Sequence, residues 1–281
     1  MCIRDRRDIC LTLEDMGFEI EASHHECAPG QHEIDFKYSE ALTAADNIMT
    51  FKLAVKSIAE RHKLHATFMP KPLFNEAGSG MHINMSLCRD GENVFADPGD
   101  PNGLSKIAYH FIAGIMDHAK GMTAITNPIV NSYKRLVPGY EAPVYIAWSA
   151  QNRSPLVRVP AARGAGTRIE LRNPDPSANP YLVLAVCLAA GLDGIKRELM
   201  PPASTDSNVF KLTDDEREAM GIENIPDNLD RAVRAMKKDS LIHRTLGSHA
   251  FMKYVAYKQK EWNQYRNVVT EWEIKNYLSR Y

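Results

Sequence analysis

The chain has 281 residues, a formal net charge of −1, 44% hydrophobic and 25% charged residues. That balance leaves no electrostatic footprint for nucleic acid or an anionic membrane. The longest apolar stretch, 181–192, is too short to span a bilayer and is followed by Asp193. Five widely spaced cysteines, Cys2, Cys10, Cys27, Cys88 and Cys187, argue for reduced thiols in the cytoplasm rather than a disulfide framework or zinc site. Residues 1–7 are charged and lack the apolar core of a signal peptide.

Residues 5–16 read as a short helix stopped by Gly17. Phe18 to Glu26 and Gln31 to Phe36 read as a hairpin turning at Ala28-Pro29-Gly30. Ile48, Phe51, Val55 and Ile58 recur with helical period across 46–62. His65 to Lys71 and Met81 to Leu87 read as strands, and a helix follows from Ser105. Asn131 to Pro143 reads as irregular. Val144 to Trp148, Leu156 to Val159 and Thr167 to Arg172 are short strands, the last entered through Arg163-Gly164-Ala165-Gly166. A buried helix starts at Asn179-Pro180, and mostly amphipathic helix runs to the C-terminus. The expectation is an α+β fold, an antiparallel sheet with helices on one face.

Side chains alternate across a strand. In Thr167-Arg168-Ile169-Glu170-Leu171-Arg172, the apolar phase suits a core, so Arg168, Glu170 and Arg172 line the other face. In Met81 to Ser86, His82, Asn84 and Ser86 share that opposite phase. Glu26 and Glu33 flank the hairpin turn. Carboxylates opposed on strands repel unless a cation lies between them, and oxygen ligands with one imidazole suit magnesium or manganese better than zinc. Arg135, Arg153, Arg158, Arg163, Arg168 and Arg172 supply guanidinium forks for phosphate or carboxylate. Carboxylate-held metal beside arginines is equipment for phosphoryl transfer; no P-loop motif is present. Singly, each residue has a plainer explanation, such as a solvated strand position or a surface ion pair. Co-occurrence in one strand phase favours a site. His24, His25 and His32 stay in a structural or supporting role, since nothing distinguishes them.

The segments 24–33 (HHECAPGQHE), 68–82, 131–143 (NSYKRLVPGYEAP) and 168–181 (RIELRNPDPSANPY) resemble, in order and spacing, the signatures of bacterial type I glutamine synthetases. The resemblance implies a curved antiparallel sheet with helices on its outer face, as in guanido kinases. It implies ATP-dependent ligation of ammonia to glutamate through γ-glutamyl phosphate, with two or more Mg2+ or Mn2+ ions. Glu26 and Glu33 would hold one ion, His82 and Glu170 a second. Arg135, with Gly78 and His82, would bind glutamate. Glu141 on a closing flap would take a proton from ammonium and face glutamate. Arg153, Arg158 and Arg168 would neutralise ATP phosphates, with Arg153 also acting in catalysis; Arg172 would touch the transferred phosphoryl or glutamate, and Ser86 would lie near adenine.

The resemblance further implies self-assembly into double hexameric rings tied by residues 270–281. Residues 1–281 would then be a catalytic domain incomplete at its N-terminus, without the family's β-grasp domain, and a chain that is inactive alone is one reading. Ala77 stands where relatives often carry an asparagine that helps bind glutamate, which keeps a related γ-glutamyl-amine ligase as the alternative. Phe210 has no hydroxyl where some members carry a modified tyrosine.

Overall fold

Ile9 and Leu13, one helical turn apart, are fully buried in helix α1 (Ile3–Asp15), which ends as Gly17 takes a left-handed φ of 92°. They pack on Val55 and Ile58 of α2 (Ala41–Arg61) and on the hairpin formed by β1 (Ile20–His25) and β2 (His32–Phe36). The computed structural model describes residues 3–139, 142–205 and 209–281; Glu141, singled out above, lies outside the described residues.

The hairpin register carries a bulge between Ile20 and Ala22: Ile20 pairs with Phe36, yet Ala22 pairs with Asp35. The extra residue flips the strand's phase. Ile20 thereby joins Ile34 and Phe36 against the helices, while His24 and Glu33, directly paired, share the opposite face with Glu26.

The second sheet has four strands in the order β3-β8-β7-β6: β3 (Ile83–Met85), β6 (Trp148–Ser149), β7 (Val157–Arg158) and β8 (Ile169–Leu171). Among the described residues the hairpin and this sheet share no ladder. The antiparallel expectation holds for β3–β8 and β8–β7, but β6 and β7 run parallel, so the sheet is mixed. The 150–156 connection is compact because Ser149 Oγ accepts from Gln151 N and Asn152 N, and Asn152 Oδ1 accepts from Ser154 N. A minor hairpin, β4 (Cys88–Arg89) and β5 (Glu92–Asn93), lies between β3 and the next helix.

Ile83, Val157, Ile169 and Leu171 send their side chains into the main core. There they meet Phe111, Ile112 and Ile115 of α3 (Lys106–Asp117) and Val183, Val186 and Ala190 of α6 (Pro180–Lys196). Ser105 caps α3 by accepting from Ala108 N, and Asn179 caps α6 by accepting from Leu182 N. The core continues through α4 (Ala119–Thr126) to α8 (Leu229–Lys238) and α9 (Ser240–Tyr265), the last broken at Gly247. The short α7 (Asp214–Ala219) and α10 (Glu271–Tyr277) each start at a reciprocal threonine–glutamate cap.

Further sequence expectations are corrected. Of the expected strand 144–148, only Trp148 lies in one, since β6 is Trp148–Ser149. Residues 65–71 join no ladder: Lys71 N donates to Asn131 Oδ1, and Asn131 Nδ2 donates to Lys71 O. An asparagine amide satisfies this backbone in place of a neighbouring strand. The segment 131–143 is not wholly irregular, because α5 (Ser132–Arg135) forms its first turn and carries Arg135 inward. No helix among the described residues is long and apolar enough to cross a membrane.

Candidate active site

Glu170 sits at the centre of the sheet's outer face, paired across the ladder with Asn84 of β3 on one side and Arg158 of β7 on the other. The apolar residues on either side of it in β8 are fully in the core, so alternation forces the carboxylate outward. Three partners converge on it: Arg158 Nη1 donates to Oε2 at 2.8 Å, Arg172 Nη1 donates to Oε1 at 3.2 Å, and His82 Nδ1 lies 3.1 Å from Oε1. Burial alone would raise its pKa. The His82 hydrogen bond and the His82, Arg172 and Arg158 charges outweigh that and hold it down at about 2. Arg168 lies farther along the same face, its Nε donating to Asn84 Oδ1 at 3.1 Å.

A second acidic group forms on the hairpin. His24 Nε2 lies 2.9 Å from Glu26 Oε1 and 3.7 Å from Glu33 Oε2, and the three ligand atoms lie within 4.8 Å of one another. Glu33 is pushed up to about 7, first by burial and then by Glu26 and Asp35 beside it; hydrogen bonds from Glu33 and His24 overcome burial and lower Glu26. Two carboxylates crowded with an imidazole, one driven toward its neutral form, make a donor set that a hard divalent cation fits. Oxygen-rich ligation of this kind suits magnesium or manganese.

Arg135, the last residue of α5, is buried. Its Nη1 donates to Asn173 O at 2.7 Å and its Nη2 to Arg172 O at 3.2 Å. Asn127 Nδ2 also donates to Asn173 O, which fixes the carbonyl that Arg135 reads. Burial pulls the guanidinium down to about 10, opposed by the Asp175 charge. The loop above it must be glycine: a Cβ at Gly80 would lie 2.6 Å from Arg135 Nη2, and one at Gly78 would lie 2.9 Å from Arg135 Cγ. His82 Nε2 borders Gly80.

The structure therefore brings His82, Glu170, Arg158, Arg168 and Arg172 together, seats Gly78 and Arg135 beside them, and joins Glu26 to Glu33. Arg153 is exposed, with its charge felt at Arg172. Ser86 is exposed one alternation beyond Asn84. Arg163, counted above with the arginine set, turns away to donate to Pro160 O and Ala162 O. Two residues join the site beyond those expected, His24, placed above in a structural or supporting role, and Gln31. His24 is two positions before Glu26 on one strand face, so alternation could have found it. Gln31, directly across the turn from Glu26, carried no charge to draw notice.

A third cluster, Asp117, His118 and Asp193, also gathers ligand atoms. There Arg197 Nη1 donates to both carboxylates, at 2.7 and 2.9 Å.

The family described as "Glutamine synthetase, catalytic domain" matches residues 4–277. Glutamine synthetase of Clostridium saccharobutylicum is 65% identical over 276 residues, and that of Staphylococcus aureus 58%; each alignment covers 98% of this chain. The chain spans 62% of the length of these relatives. A solved GmaS/ADP complex superposes with a TM-score of 0.90 at 41% identity, covering 98% of this chain and 64% of that one; apo GmaS gives 0.86 at 40%.

Proposed function

The chain belongs to the glutamine synthetase catalytic-domain family, and from that membership we propose that it joins ammonia to the side-chain carboxylate of glutamate, using ATP and passing through γ-glutamyl phosphate. The observation that carries this reading is the outer face around Glu170, where one buried carboxylate is ringed by His82, Arg158 and Arg172, beside a second carboxylate pair.

Residues 1–281 are read as one catalytic domain. Glu26 and Glu33, with His24 beside them, hold one divalent ion, and His82 and Glu170 a second. When bound, these ions supply charge neutralisation at the transferring phosphoryl group. The rest of the work belongs to side chains. Glu170 holds Arg158 and Arg172 in place, so their remaining N–H groups are pre-aimed at phosphate oxygens and cost little reorganisation on binding. Arg153 and Arg168 extend that cationic bed, and Ser86 lies toward the adenine end. Arg135 and the Gly78 backbone receive the glutamate carboxylate. Glu141 accepts the ammonium proton under a flap that keeps the acyl phosphate from water. Four free cysteines among the described residues suit a reducing, cytoplasmic setting. Self-assembly into double rings, which the resemblance implies, would use the C-terminal tail, whose Trp272 and Leu278 are exposed.

Ala77 and the likeness to GmaS favour a second reading, ligation of glutamate to another amine. The intact protein, given Mn2+, ATP and glutamate, is expected to form γ-glutamyl hydroxamate from hydroxylamine. It is also expected to release ADP faster with ammonium than with methylamine or putrescine. A preference for an organic amine would establish the second reading, and no ADP release with any amine would contradict both.

A further inference from the structure

Gln31 stands in the hairpin turn between the two acidic residues, and its side chain bridges that turn to the 78–79 loop. Its Oε1 accepts from Ala28 N at 3.1 Å, which fixes the amide's orientation. Its Nε2 then donates to Gly78 O at 2.9 Å and to Ser79 Oγ at 3.3 Å. The backbone at Gln31 is equally committed: Glu26 N donates to Gln31 O at 2.9 Å, and Gln31 N donates to Ala28 O at 3.0 Å.

The loop on the far side has no slack. Ser79 N donates to Pro70 O at 2.7 Å, and Gly78 lies so close to Pro70 O and Arg135 that a Cβ would meet them at 2.5 and 2.9 Å. Gly80 rests on the Arg135 guanidinium beside His82. Gly78 is thus packed on Arg135, and Gly80, two residues on, on both Arg135 and His82. One amide spans from the carboxylate pair of one sheet to the arginine pocket of the other, two substructures that share no ladder among the described residues.

We propose that Gln31 is a positioning residue that fixes the spacing between the Glu26–Glu33 cluster and the Gly78–Arg135 pocket, so that an ion on the hairpin strengthens binding of an amino-acid carboxylate at Arg135. This rests on the reading of the site given above. The amide does it because it must accept and donate at once. Methionine matches its length without either hydrogen bond, and glutamate would set a carboxylate against Gly78 O.

The test is calorimetric titration of glutamate into the intact protein, with and without saturating Mn2+, for the unsubstituted protein and Gln31→Met. In the unsubstituted protein Mn2+ is expected to tighten glutamate binding, a coupling between two sites. Gln31→Met is expected to reduce that coupling factor about tenfold, the scale of one or two net hydrogen bonds. Mn2+ affinity measured without glutamate should stay within about threefold, since neither acidic side chain is touched. A residue that merely holds the fold would lower Tm and weaken both ligands alike, leaving the coupling factor unchanged. Unchanged coupling in Gln31→Met overturns the positioning role while leaving the proposed function standing. Failure of the unsubstituted protein to bind glutamate at all overturns both.

Discussion

His82 and His118 each face carboxylates, and their surroundings drive them in opposite directions. At His82 burial disfavours the imidazolium, and the Arg172 and Arg135 charges counter the pull of Glu170, so its pKa falls below the ordinary value. A ring neutral at physiological pH keeps a lone pair for a cation. At His118 burial also opposes the charge, but Asp239 on Nδ1 at 2.7 Å and Asp193 near Nε2 at 3.1 Å outweigh it and raise the pKa. Asp117, and Arg197 bridging Asp117 and Asp193, complete the charged groups around it. A raised folded pKa means that the imidazolium contribution is complete below the unfolded value near 6.5 and is lost as pH rises through the folded value. His118→Gln is therefore expected to cost about 2 kcal/mol at pH 6 and progressively less at higher pH, read from urea midpoints across that range. A cost independent of pH would contradict a charged His118. Of the site's residues, Glu170 and His82 were legible because their strand neighbours are plainly apolar and alternate with them. Gln31 was not, because its partners on the 78–79 loop are set by tertiary geometry 47 residues away.

Helices α3 and α6 carry the sheet's inner face, and they cross with backbones almost touching. A Cβ at Gly114 would collide with Ala190 O, one at Gly194 with His110 O, and one at Gly191 with the Phe111 ring. Glycine in a helix costs about 1 kcal/mol relative to alanine, so three at one crossing are retained for closeness. Gly191→Ala recovers that propensity but must displace Phe111, which is fully buried against Phe95. A net loss of about 1–3 kcal/mol is expected, measured as a lower urea midpoint with an unchanged m-value. A stabilised protein would show that the crossing has room. Most elements could be read in advance, since the caps at Ser105 and Asn179 and the stop at Gly17 are local signals. What could not be read depended on partners distant in sequence. The β1 bulge leaves no mark in residues 20–22, Asn131 replaces a strand beside Lys71, and the parallel β6–β7 pair forms across a connection too short for a helix.

At the scale of the whole chain, the small core under the hairpin and the large core under the sheet are separate clusters, and the acidic groups divide between them. The proposed chemistry requires that both serve one site. Mn2+ binding to the intact protein, followed by paramagnetic resonance in the presence of ADP, tests this directly. At least two ions per chain are expected in the unsubstituted protein. Glu33→Gln should remove one and spare the other, and Glu170→Gln should do the reverse, each abolishing ligation. If either variant binds Mn2+ as the unsubstituted protein does, or keeps near-normal turnover, the assignment of ions to these side chains is wrong.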